Sequence, residues 1–346
     1  MRELISYDDV LLAPKYSDIR SRNEVSVLSN LGNGLELQLP VIASPMDTIS
    51  EAAMAIALGN FGGAAIIHRY NSVETQAQMI AIAKDVAQTK YKSNINIGAA
   101  IGISGDYLKR SAAAIKSGAT FICVDVAHGH HILMKEALEA LRDKLGPSIH
   151  IMAGNVATIE GINDLADWGA DSVRCNIGGG SICSTRVQTG HGIPGLQTIL
   201  DCSKTDRDVT IIADGGIRNS GDIVKAIAAG ADAVMCGSLL AGTDETPGKI
   251  YESQDGVRWK TYRGMASKEA QVNWRGKYSS HEGVSAKVPY RGPVTKILED
   301  LQRGIRSGFS YSGSRSMSEF QSSAELIKQT PAGMGESRTH IVGREW

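Results

Sequence analysis

The sequence has almost no net charge: 36 Lys+Arg against 37 Asp+Glu leave a formal balance of −1. Without an excess of one sign there is no electrostatic footprint for nucleic acid or an anionic membrane. No apolar run approaches membrane-spanning length, and Met1–Asp9 lacks the basic-then-apolar layout of a signal peptide. A cytoplasmic enzyme is the expected class. Cysteine is scarce as well. Cys123, Cys175, Cys183, Cys202 and Cys236 are odd in number and scattered, with no Cys-x-x-Cys pair, so neither a disulfide framework nor a zinc site is indicated. No internal repeat or low-complexity tract occurs, and no Gly-x-Gly-x-x-Gly follows the first apolar run, which counts against a doubly wound open sheet.

What is present is alternation. Short β-branched runs fall at Pro40–Ala43, Ala64–His68, Ile95–Ala100, Phe121–Asp125, Ile149–Ala153, Ser172–Ile177, Thr210–Asp214 and Ala233–Cys236. Helix-period stretches follow them at Glu51–Leu58, Ser72–Val86, Gly105–Lys116, His131–Leu145, Thr158–Ala166, Gly195–Ser203, Ser220–Ala229 and Val294–Ile305. Eight βα units with strands apolar on both faces predict a single α/β domain over residues 1–346, a (β/α)₈ TIM barrel. The one long interruption, a flap insertion at about residues 239–293, is expected to be a functional lid. The tail from Ser314 to Trp346 reads as too irregular for another barrel element.

In a barrel the loops leaving the strand C-termini converge on one face. Those loops carry Ser44-Pro45-Met46-Asp47-Thr48, His68-Arg69-Tyr70, Asp125-Val126-Ala127-His128-Gly129-His130, Gly154-Asn155, Gly178 to Thr185, Asp214-Gly215-Gly216 and Gly237-Ser238. Glycines after the sixth to eighth strands let backbone N–H groups approach an anion, and Ser181 and Ser238 add hydroxyl donors. Asp214 has the chemistry to accept hydrogen bonds from two ribose hydroxyls, so a phosphorylated nucleoside is the expected ligand. Cys183 lies among Gly, Ser and Thr while the other cysteines lie in apolar runs, which marks it as a nucleophile. His128, His130 and His131 have metal-ligating chemistry, but Asp125 is the only carboxylate on that loop. His128 and His130 are therefore read as polar wall.

These residues resemble the IMP dehydrogenase/GMP reductase family along nearly the whole chain. The matching stretches include Tyr7 to Pro14, Pro45 to Thr48, Ala153 to Val156, Gly178 to Arg186, Ala213 to Asp222, Tyr262 to Met265, Glu282 to Val284 and Pro289 to Gly292. The resemblance implies that Cys183 bonds purine C2 and that Thr185 and Glu282 move the proton there. It implies substrate contacts from Ser44, Met46, Ser181, Asp214, Gly216, Gly237, Ser238, Tyr262, Gly264 and Met265. Asp125, Ala127, His128 and Gly129 would meet the nicotinamide cofactor. A potassium site would use Gly178, Gly180 and Cys183 with Glu336, Ser337 and Arg338 of a neighbouring subunit, in a homotetramer.

Two reactions share this chemistry. GMP reductase converts GMP to IMP and ammonia with NADPH; IMP dehydrogenase oxidises IMP to XMP with NAD. Ala83–Asn94 closes the gap where most dehydrogenases insert a CBS pair, so the layout is closer to a reductase without CBS domains. Lys277-Tyr278 stands where the dehydrogenase flap carries a water-activating Arg-Tyr pair, and the Asp125 loop looks like that of some bacterial reductases. Ala241-Gly242-Thr243 and the segment from Tyr290 to Gly313 read instead like dehydrogenases. Gly179 replaces a proline usual in both branches. The expectation is GMP reductase, with IMP dehydrogenase as the alternative.

Overall fold

The eight apolar runs close into a parallel barrel. The computed structural model describes residues 1–279, 281–337 and 339, and begins with β1 (Val10–Leu12) and a hairpin of β2 (Ser29–Asn30) and β3 (Glu36–Leu37). The barrel strands are β4 (Val41–Ala43), β5 (Ala64–Ile67), β6 (Asn96–Ile101), β7 (Phe121–Asp125), β8 (His150–Val156), β9 (Ser172–Cys175), β10 (Thr210–Asp214) and β11 (Ala233–Cys236). They pair in the closed order β10-β11-β4-β5-β6-β7-β8-β9. All four residues of β5, and all four of β11, are buried, because one face meets the barrel interior and the other the helical ring. The interior is packed with Ile42, Ile66, Phe121, Met152, Ile212 and Met235. Leu31, Leu35 and Leu37 of the β2–β3 hairpin join this cluster and stopper the barrel at the strand N-termini.

The outer ring comprises α1 (Ala52–Asn60), α2 (Val73–Val86), α3 (Tyr107–Ser117), α4 (Ile132–Leu145), α5 (Ile159–Asp167), then α6 (Thr185–Thr189) and α7 (Gly195–Cys202) together after β9, and α8 (Ser220–Ala228). Several begin at side-chain caps, such as Ser72 accepting from Thr75 N–H at 3.0 Å and Asn219 from Asp222 N–H at 2.9 Å. The flap is better ordered than its composition implies. It contains β12 (Tyr251–Glu252), β13 (Arg258–Arg263), α9 (Lys268–Arg275) and β14 (Ser285–Pro289), and the three strands form an antiparallel sheet. The last ring helix, α10 (Val294–Tyr311), outruns the predicted Val294–Ile305 because the buried stripe Val294, Leu298, Leu301, Ile305 continues to Phe309.

The tail corrects the expectation of irregularity. It folds into α11 (Met317–Ser323), β15 (Leu326–Lys328) and α12 (Pro331–Glu336), and β15 pairs antiparallel with β1, Leu11 opposite Ile327. A three-residue strand is too short to show a period, and its partner lies more than 300 residues away. Among the described residues no helix is long and apolar enough to cross a membrane.

Candidate active site

A cavity of about 730 Å³ opens at the strand C-termini. Its centre is the loop from β9 to α6. Asn176 turns that loop at a positive φ of 150°, and its amide occupies the space beside Gly179: a Cβ there would lie 2.0 Å from Asn176 Nδ2. The lack of a side chain at position 179 is thus matched to the packing of Asn176. Cys183 is exposed, while the other four cysteines are buried, as the sequence predicts. Its Sγ donates to Thr185 Oγ1 at 3.1 Å, and Thr185 Oγ1 donates to Glu282 Oε2 at 2.8 Å. The flap brings the carboxylate here through backbone pairing: Ser184 N–H donates to Glu282 O at 2.9 Å, and Val284 N–H to Ile182 O at 3.0 Å. A hydroxyl between a thiol and a carboxylate can pass a proton either way.

One lobe of the cavity lies over β10, β11 and β13. Asp214 Oδ2 accepts from Asn155 Nδ2 at 2.8 Å and from Arg174 Nε and Nη2 at 3.0 and 2.9 Å. Burial pushes the Tyr262 phenol up to about 12, so it stays protonated as a donor. Gly237 faces this phenol so closely that a Cβ would meet Tyr262 Oη at 2.7 Å and Met46 Sδ at 3.2 Å. Asp47 pairs with Arg263 at 2.6 Å, and Thr48 Oγ1 accepts from Arg263 N–H at 3.2 Å, which ties the flap base to the loop after β4. Ser44, Met46, Ser181, Gly216, Ser238, Gly264 and Met265 also line the cavity.

The other lobe runs past Asp125 and Ala127 to the loop at Gly102–Asp106. Arg174 Nη1 donates to Asp125 Oδ1 at 2.7 Å, so one guanidinium serves both lobes. Burial alone would lower the pKa of Arg174, but Cys123, Asp214 and Asp125 hold it well above the ordinary value and the group is cationic. Tyr70 stacks on Trp274 of α9, and Arg69 Nη2 donates to Asp125 O at 3.3 Å. Arg69 Nε is buried with no hydrogen-bond partner among the described residues, while its side chain lines the cavity.

Some expected residues lie elsewhere. His128 and Gly129 are not in the cavity lining; Gly129 N–H donates to Asn155 O at 2.7 Å. Burial, then its histidine neighbours His130, His131 and His191, hold the His128 pKa below its usual value. His130 pairs with Asp164 at 2.8 Å, and His131 Nδ1 caps α4 by accepting from Leu133 N–H at 3.1 Å, so these imidazoles serve structure rather than the cavity wall. Gly178 and Gly180 line the cavity, and Gly180 O already accepts from Cys183 N–H at 3.1 Å. Glu336 and Ser337 close α12 away from the cavity of their own chain, and Arg338 lies outside the described residues. Sequence reasoning placed Arg69 among the strand-end loops without giving it a role, and missed Arg174 and Trp274; for Arg174, a charged residue within the apolar run Ser172-Val173-Arg174-Cys175 was the available signal.

Comparison with known proteins agrees with this geometry. The family model described as IMP dehydrogenase / GMP reductase domain matches residues 4–340. The inosine-5'-monophosphate dehydrogenase of Nitrosopumilus maritimus is 32% identical over 474 aligned residues, covering 99% of both chains. The GMP reductase of Leishmania donovani is 31% identical over 481, covering 99% of this chain and 98% of that one. Both alignments are longer than the 346 residues present here, so both relatives carry residues without a counterpart and chain length favours neither reaction. Among solved structures, a GMP reductase variant from Trypanosoma brucei in complex with guanosine 5'-monophosphate superposes with a TM-score of 0.92 at 29% identity, covering 99% of each chain.

Proposed function

The chain belongs to the IMP dehydrogenase/GMP reductase family, and from that premise we propose that it is a GMP reductase. The observation that carries the choice is the Cys183–Thr185–Glu282 chain, which among the described residues has no flap base hydrogen-bonded to it. Lys277 and Tyr278, which replace the water-activating pair, are outside the cavity lining, and the Tyr278 ring faces Lys268 Nζ at 5.1 Å. Arg275 does line the cavity, but its Nη2 is engaged by Gln271 Oε1 and Ser279 Oγ at 2.5 and 2.6 Å.

In this reading Asp214 holds the ribose, the glycine-rich loops with Ser181 and Ser238 hold the phosphate, and Cys183 faces purine C2. The thiolate adds to C2, and Glu282 delivers a proton through Thr185 to the exocyclic amine. The C2–N bond then breaks, ammonia leaves, and C2 stays bonded to sulfur. C2 would then take up a hydride, the chemistry that a reduced nicotinamide held by Asp125 and Ala127 would supply. The C–S bond breaks as IMP forms, and its electron pair returns to Cys183 as thiolate. GMP, NADPH and two protons thus give IMP, NADP⁺ and ammonium. Asp125, Ala127 and the Arg69 side of the second lobe would hold the dinucleotide, and the positive charge of Arg69 in the cavity lining suits an anionic cofactor. A homotetramer, with potassium between the Gly178–Cys183 carbonyls and a neighbouring tail, belongs to the same proposal.

Absorbance at the nicotinamide band decides between the reactions. Oxidation of NADPH with GMP, with ammonia released, is expected. Activity only with IMP and NAD would overturn the assignment in favour of the dehydrogenase.

A further inference from the structure

We propose that Arg174 is a positioning residue that couples the two ligand subsites, so that a change at one carboxylate alters ligand affinity at the other. The inference rests on the reading of Asp214 and Asp125 as the ribose-binding groups of the nucleotide and the dinucleotide. Arg174 rises from β9, whose four residues are all buried, and only 7% of its side chain is exposed. Nη1 donates to Asp125 Oδ1 at 2.7 Å, while Nε and Nη2 both donate to Asp214 Oδ2. Asp125 ends β7 and Asp214 ends β10, with β8 and β9 between them in the barrel. A single planar group therefore spans the floor of the cavity from one lobe to the other.

The geometry divides each carboxylate into two ends. On Asp214, three protein donors converge on Oδ2, and among the described residues none reaches Oδ1. On Asp125, the Arg174 bond falls on Oδ1, and no donor among the described residues reaches Oδ2. Each free oxygen is the one left for a ligand hydroxyl. Two carboxylates sharing one cation leave a residual negative charge in a poorly solvated place, so each competes for the guanidinium. Hydroxyl donors placed on Asp214 disperse its charge and release more of Arg174 to Asp125. The same argument runs in reverse, as linkage requires for two binding equilibria. Arg174 also donates to Cys123 Sγ at 3.3 Å, which limits its sideways movement. A lysine could neutralise one carboxylate, but its single ammonium could not hold the two planes at once.

A merely structural arginine would stabilise the barrel without making one subsite sense the other. The test therefore measures GMP binding to the full chain by calorimetry without cofactor, so that no turnover occurs. Asp125→Asn is expected to raise the GMP Kd at least about threefold, although Asp125 lies in the dinucleotide lobe. The same substitution in an Arg174→Lys background is expected to leave the Kd unchanged. Unaltered GMP affinity in the Asp125→Asn protein overturns the inference, and so does an equal change in both backgrounds. Should Arg174→Lys fail to fold by thermal melting, the Asp125→Asn result in the native background decides alone. A native chain that binds neither GMP nor IMP would overturn the functional reading itself, and the coupling with it.

Discussion

Tyr70 and Trp274 lie face to face, their ring centroids 4.3 Å apart and their planes 12° from parallel, and so join the loop after β5 to the flap helix α9. Tyr70 Oη reinforces the join by donating to Met265 O at 2.7 Å. An aromatic pair of this kind contributes about 0.5–1.5 kcal/mol beyond the area it buries. Trp274→Ala is expected to lower kcat/KM up to about tenfold through KM for the dinucleotide. The melting temperature should stay near the native value, because Trp274 lies outside the barrel core. Steady-state kinetics beside a thermal melt checks both halves; a large fall in melting temperature with unchanged KM rejects the clasp.

The Cys183–Thr185–Glu282 chain predicts non-additive losses. Thr185→Val and Glu282→Gln should each lower kcat about 100-fold or more, the usual range for a general acid. The double variant should be no worse than the poorer single, since either change interrupts one proton path. Single-site losses that multiply would mean two separate roles. Cys183→Ser should abolish turnover while GMP still binds, and substantial residual turnover would remove the covalent step.

Gly237→Ala tests the fit around Tyr262. The added methyl meets Tyr262 Oη at 2.7 Å and Met46 Sδ at 3.2 Å, so the phenol has to move. Overpacking of this order costs about 1–3 kcal/mol, and about a tenfold rise in nucleotide KM is expected. An unchanged KM would show that Tyr262 does not border the bound nucleotide.

Asp232, at the mouth of β11, gives a pH dependence with a definite sign. Burial pushes its carboxyl up to about 6, and Oδ2 accepts from Ile211 N–H at 2.7 Å. A raised pKa means the protonated form favours the fold. That contribution is complete below the unfolded value near 4 and is lost as pH rises through about 6. Asp232→Asn should therefore gain stability relative to the native chain between pH 5 and pH 7.5, by on the order of 1 kcal/mol. Urea unfolding at the two pH values measures the gap; a gap that shrinks with rising pH contradicts the burial argument.

Much of this architecture is legible in the residues. Phe121–Asp125, Thr210–Asp214 and Ala233–Cys236 are strands as predicted, because parallel strands buried on both faces are continuous apolar runs between turn signals. Cys183 was legible by contrast with its apolar counterparts. The flap sheet was not, since β13 and β14 are partly exposed and pair across α9. Arg174 was missed for a different reason. Its burial depends on Asp125 and Asp214, which lie 49 and 40 residues away in sequence. A strand pattern reports which face is apolar, not which charge finds partners on other strands.

The pairing of β1 with β15 bears on how the molecule is made. Tyr7 lies just before β1, buried, and its ring is 3.7 Å from where a Cβ on Gly216 would stand, so this segment underlies a loop assigned to the phosphate. During synthesis β1 emerges before the barrel strands yet has no strand partner until Leu326–Lys328 leaves the ribosome. Gln329 then closes the arrangement by donating through Nε2 to Asp8 O at 2.7 Å. The support beneath the proposed nucleotide site is thus completed only after the barrel strands have been made, so a nascent chain stalled before residue 326 has all eight barrel strands but lacks the strand that secures this floor.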